Sequence, residues 1–159
     1  MRARHAILVA LAAAFVVTSI AAAGSGAAKQ RVMITTQFGE TTEVSPFVLT
    51  PLQIGTIKPD SGKWIADADT GREVMREGQQ VSMHAGTSTL KGKRGSLVIH
   101  HRSEWVEAGN GYHVATDTWK VVRGTGQYAG VTGGGRGGSV WLERTDDWSS
   151  QFEGFLTLP

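Results

Sequence analysis

The 159-residue chain contains no cysteine, so neither disulfides nor thiolate metal sites can hold it together. Helical periodicity is almost missing beyond residue 28, where only Glu73 to Glu77 reads as a short helical turn. That excludes a helix bundle and the strand-helix alternation of dinucleotide-binding folds. Catalytic signatures are missing as well. There is no G-x-S-x-G elbow, no histidine pair at four-residue helical spacing, and no order of Ser, His and Asp that marks a triad. Net charge is missing once the N-terminus is set aside. Of the 16 Lys and Arg, Arg2 and Arg4 fall in the first residues, and the remaining 14 balance the 14 Asp and Glu. A neutral domain gives no electrostatic ground for nucleic acid or anionic membrane partners.

What is present begins with a leader. Met1 to His5 form a short basic head, and an apolar run follows from Ala6 to Ala23, with small residues at Ala21-Ala22-Ala23 and Gly26-Ala27-Ala28. This is the layout of a secretory signal peptide cleaved near Ala23 or Ala28, with an uncleaved anchor as the competing reading. The expectation is therefore a signal at residues 1–28 and one exported, extracytoplasmic domain at 29–159, with no stable membrane insertion after cleavage.

Across that domain, β-branched and aromatic residues alternate with polar ones between frequent glycines, a pattern that predicts an all-β antiparallel sandwich or barrel. Strands are expected over 31–38, 42–49, 81–89, 96–106, 112–122, 139–142 and 151–158, with variable loops from Pro51 to Gly78. Lys91, Lys93 and Arg94 read as a solvated turn. The sharpest unit is a hairpin in which Ala108-Gly109-Asn110-Gly111 forms the loop. Glu107 then opposes Tyr112. One face carries Leu97, Ile99, His101, Ser103 and Trp105 against Tyr112, Val114, Thr116, Thr118 and Val122. The other places Arg102 opposite Asp117, with Glu104 and His113 near enough to join an ion network. The first face is expected to point inward.

Two segments, RGSLVIHH (Arg94 to His101) and WKVVRGTGQYAGVTGGG (Trp119 to Gly135), resemble bacterial proteins of the allene oxide cyclase-like barrel group. Dirigent proteins share the Gly-Thr-Gly turn. The resemblance implies a single antiparallel closed barrel of about eight strands with an apolar lumen, and it too points Leu97, Ile99 and His101 inward. It also implies a function of holding a flexible apolar molecule in one conformation, with cyclase, isomerase or dirigent-like activity as the added chemistry. On this reading His101 is the candidate acid or base, and Glu43 beside Ser45-Pro46 corresponds to the cyclases' carboxylate. Ile99, Trp105, Tyr112, Val114 and Thr118 would contact a small hydrophobic ligand.

Other polar groups point to no cofactor and no metal. His100 and His101 are adjacent on a strand and project to opposite faces. Gly124-Thr-Gly-Gln-Tyr-Ala-Gly lacks the helix that a pyrophosphate loop requires. Asp67-Ala-Asp69-Thr-Gly71 misses a calcium loop's third ligand and its glycine, and reads as a turn. Five tryptophans remain, enough to line a ligand site or to plug a barrel end. The alternative to a ligand-binding lumen is a solid scaffold whose partners meet exposed loops or edges.

Overall fold

The computed structural model describes residues 28–38 and 44–159. Most of the expected leader, residues 1–27, and Glu43 lie outside the described residues. Eight antiparallel strands follow one another: β1 (Lys29–Phe38), β2 (Val44–Pro51), β3 (Asp60–Arg76), β4 (Gln79–Gly92), β5 (Ser96–Gly109), β6 (Tyr112–Gly124), β7 (Thr132–Leu142) and β8 (Asp147–Thr157). Each pairs with its sequence neighbours and β1 also pairs with β8, so the sheet forms one ring. Such a ring leaves no unpaired edge strand to be shielded. Backbone pairing all the way round is how a cysteine-free domain of this size is held.

Consecutive connections alternate between the two ends of the ring. Two of the turns are two-residue reversals with positive φ at both positions, Glu77-Gly78 (52° and 83°) and Asn110-Gly111 (57° and 73°). That is the twist-matched geometry that joins antiparallel strands most tightly.

Two features differ from the sequence-based expectation. The segment from Pro51 to Gly78 contains the longest strand, β3, which pairs with β4 from Gly62 to Arg76; the expected helical turn at Glu73 is its final stretch. In the β5–β6 hairpin the loop is shorter than expected. Ala108 is an unpaired bulge residue, Gly109 opposes Tyr112, and Glu107 opposes His113 instead of Tyr112. One extra residue on β5 shifts the partner by one and exchanges the two faces of β6. The interior therefore receives Leu97, Ile99, His101, Ser103 and Trp105 from β5, as expected, but His113, Ala115, Asp117, Trp119 and Val121 from β6. The expected ion network does not form: Arg102 faces out opposite Thr118, whereas Asp117 faces in.

Among the described residues, the interior is filled at one end only. Around the β4–β5 turn and the β6–β7 connection, Val32, Leu49, Leu90, Leu97, Ile99 and Leu156 pack without exposure. Two connections cap them. Ile57, from the β2–β3 connection, is held by Gln30, whose Oε1 accepts its N–H at 2.8 Å and whose Nε2 donates to its carbonyl at 2.9 Å. Tyr128, at the end of the 3-10 turn Gly126–Tyr128, inserts its ring and donates its hydroxyl to buried Asp60 at 3.0 Å. Above this packed layer the side chains become polar or aromatic, and the interior opens.

Candidate functional site

The open half of the ring contains a cavity of about 600 Å³, well within the range of small-molecule sites. Its walls are of two kinds. One is a continuous run of aromatic rings: Trp105 to Trp148 (5.7 Å between centroids), Trp148 to Phe38 (4.4 Å), Phe38 to Trp64 (6.3 Å), and Trp64 stacked on Phe152 (5.3 Å). These centroid spacings are those of favourable aromatic pairs. The run links β5 with β8, β1 and β3.

The other wall is polar and is built mainly from β3, β4 and β5. Inward alternation on β4 presents Ser82, His84 and Ser88, with Ser82 opposite Glu73 on β3 and Trp105 on β5. Asp69 Oδ2 lies 2.8 Å from His84 Nδ1, and His84 Nε2 lies 2.9 Å from Ser82 Oγ. Carboxylate, imidazole and hydroxyl thus stand in the order of a proton relay. The strand itself cannot supply an oxyanion hole, because β4 pairs on both sides and its N–H groups are committed to the ladders. The relay therefore suits proton transfer better than acyl transfer. Glu73 sits beside it and competes with His84 Nε2 for the single Ser82 proton; hydrogen bonds from Ser82 and Gln80 favour its charged form and hold its carboxyl below the usual range.

A second chain of hydrogen bonds joins the two walls. Trp148 Nε1 donates to Ser150 Oγ at 2.8 Å, and Ser150 and Ser139 hydroxyls are 2.7 Å apart. Ser139 donates to Asp117 Oδ2 at 2.7 Å. Each hydroxyl has one proton, so Ser139's donation to Asp117 makes Ser150 the donor to Ser139, and the chain runs in one direction. Asp117 is 2% exposed, and its Oδ1 has no partner among the described residues.

The residues singled out from sequence fall in several places. His101 lines the cavity near its packed floor, with Nε2 3.2 Å from Ser88 Oγ. Burial lowers its basicity below the usual histidine range, outweighing the opposing influence of Asp69 and Asp117. Trp105 is part of the aromatic wall. Ile99 points inward but belongs to the packed layer beneath the cavity. Tyr112, Val114 and Thr118 are on the outer surface, exposed to solvent, because the Ala108 bulge reverses β6. Val114 there joins a cross-strand row with Val81, Val106 and Val140. Of the Ser-Pro segment, Ser45 is buried on β2 and its Oγ has no partner among the described residues.

Asp69, Ser82, His84, Asp117, Ser139 and Ser150 were not candidates from sequence. Apart from Ser82 and His84, which share β4, they meet through the register of consecutive strands, β3 with β4, β6 with β7 and β7 with β8. The one available signal was the alternation of Ser82, His84 and Ser88 on β4, a strand whose inward positions are polar where a solid core would need apolar side chains. Comparison of the chain with family models, curated proteins and solved structures returns no match.

Proposed function

We propose that this is an exported barrel protein that binds a small, largely apolar molecule in the open half of its lumen. The observation that carries this reading is the unequal filling of the interior: a packed layer closes one end, and above it lies a cavity of about 600 Å³. A solid scaffold would continue the packing of Leu97 and Ile99 upward. Instead β5 continues with His101 and Ser103, and six aromatic rings line the space without filling it. An aromatic wall offers contact area and shape, and a few polar groups opposite it fix orientation. The eight-strand order and the inward Leu97-Ile99-His101 run support kinship with allene oxide cyclase-like and dirigent-like barrels. The polar wall makes the occupant amphipathic rather than purely hydrocarbon.

A second reading, acid-base catalysis of a cyclisation or isomerisation, rests on the Asp69-His84-Ser82 chain. It moves the proton-transferring role from His101 to His84, which is oriented by a carboxylate. Its mark is an activity lost in His84→Asn while ligand affinity is unchanged; equal loss of both would reduce His84 to a binding group.

The neutral fluorophore N-phenyl-1-naphthylamine tests the binding reading. Wild-type protein is expected to enhance its emission saturably with 1:1 stoichiometry. Ser103→Trp projects an indole into the cavity from β5, between His84 and Asp117, and is expected to weaken that binding at least about tenfold, a loss of roughly 1.4 kcal/mol. Equal enhancement by a Ser103→Trp variant with an unchanged near-UV circular dichroism spectrum would place the probe elsewhere and refute the reading.

A further inference from the structure

We propose that the cavity selects an organic cation, an amine or quaternary ammonium group carried on an apolar body. The inference rests on the reading of this cavity as a ligand site and concerns the charge of what enters it. Asp69, Glu73, Glu107, Asp117 and Asp146 line the cavity, and among the described residues no Lys or Arg joins them there. The domain as a whole is balanced between acids and bases, so this is segregation within the fold. Lys91, Lys93 and Arg94 cluster at the β4–β5 turn, at the opposite, packed end.

Among the described residues, Asp69 is the one lining acid with a histidine partner. Burial makes His101 a weaker base than usual, His84 is held against Asp69, and His113 packs on Trp141 with Glu143 4.0 Å away. An anionic ligand would meet carboxylates and no fixed cation.

Two observations beyond the acid count itself point the same way. The aromatic wall presents Trp105, Trp148, Phe38 and Trp64, and the faces of such rings attract cations, most strongly where solvent is excluded. Asp117 is the other. Its Oδ2 ends the chain from Trp148 through Ser150 and Ser139, while its Oδ1, buried at the cavity wall, has no partner among the described residues. A buried carboxylate oxygen is costly unless it meets a donor or a positive charge. An anion would aggravate that cost, and a hydrocarbon would leave it uncompensated. A cation seated against Trp148 would be held by the same chain that fixes Asp117.

The test displaces bound N-phenyl-1-naphthylamine with three probes of similar size: trimethylphenylammonium, neutral tert-butylbenzene and anionic benzoate. Trimethylphenylammonium is expected to displace the dye at a concentration about tenfold lower than tert-butylbenzene, with benzoate weakest. Asp117→Asn, which keeps size and shape, should bring the cation close to the neutral probe and leave tert-butylbenzene unchanged. Should Asp117→Asn fail to fold, Trp148→Leu is the second variant: removing an indole from the aromatic wall is expected to weaken all three probes, and the cation the most, so that its advantage over tert-butylbenzene shrinks. Displacement by tert-butylbenzene at equal or lower concentration than the cation, or a cation preference intact in these variants, overturns the inference while the cavity reading stands. Failure of the dye itself to bind refutes the cavity reading instead.

Discussion

Gly154→Ala is expected to destabilise the protein by about 3 kcal/mol, lowering the midpoint of thermal unfolding by on the order of 10 °C. Gly154 on β8 faces Gly135 on β7. Across this pair lies the indole of Trp119, which is 4% exposed and donates to the Glu153 carbonyl at 3.3 Å. A methyl group at Gly154 would run into the Gly134 carbonyl oxygen and stand 2.7 Å from Trp119 Cζ2. The carbonyl belongs to a paired strand and cannot retreat, so the indole and the layer packed on it must shift. Gly138→Ala is the matched control: its methyl would meet only the Ala115 carbonyl oxygen, at an ordinary 3.5 Å. Calorimetry of the two variants side by side measures the difference. Equal midpoints would mean that this inner wall is looser than described.

Asp60→Ala is expected to cost about 4 kcal/mol, measured by urea unfolding. Asp60 is 5% exposed and gathers four donors at the packed end. Its Oδ1 accepts the N–H groups of Ser61 and Lys93, each at 2.9 Å, and its Oδ2 accepts the Tyr128 hydroxyl at 3.0 Å and the Arg94 N–H at 3.3 Å. These bonds tie the cap, the β4–β5 turn and the start of β3 together. Truncation leaves a buried hydroxyl and backbone donors without partners, which costs more than the bonds contribute. The same network sets an alkaline limit. Burial, reinforced by the Asp60 carboxylate, raises the Tyr128 hydroxyl above its ordinary 10.0. Below that value both folded and unfolded chains keep the proton and the contribution is complete. Above it the unfolded chain releases its proton first, so stability falls as pH rises toward the folded value. Tyr128→Phe should flatten that decline. An unaltered alkaline limb in this variant would assign the loss to other groups.

The β5 face was legible from sequence because Leu97, Ile99, His101, Ser103 and Trp105 alternate without interruption. The facing strand was not. Ala108-Gly109-Asn110-Gly111 is compatible with a four-residue loop or with a bulge followed by a two-residue turn, and alternation within β6 is equally regular in either phase. One residue decided whether Tyr112 or His113 met the interior. β3 was missed for a different reason. Its inward positions beyond Trp64 include Asp69 and Glu73, which face the cavity, so both sides of the strand are polar and the usual alternation disappears. The polar wall was hidden by the property that makes it a candidate site. A strand lining a ligand cavity carries the chemistry of a surface on its inner face, and hydrophobic periodicity reads it as a loop. Asp69, His84 and Asp117 come together through the pairings of β3 with β4, β4 with β5, and β5 with β6, none of which local sequence specifies.

The half-filled interior is the claim on which the functional reading depends, and native mass spectrometry of the protein purified from its own producer tests it most directly. Wild-type protein is expected to carry a single small-molecule adduct of defined mass that is released on activation, and Ser103→Trp, purified in parallel, is expected to lack it. An adduct retained undiminished by Ser103→Trp would put the molecule outside the cavity. A wild-type protein that flies bare, and remains bare after incubation with N-phenyl-1-naphthylamine, would contradict the account.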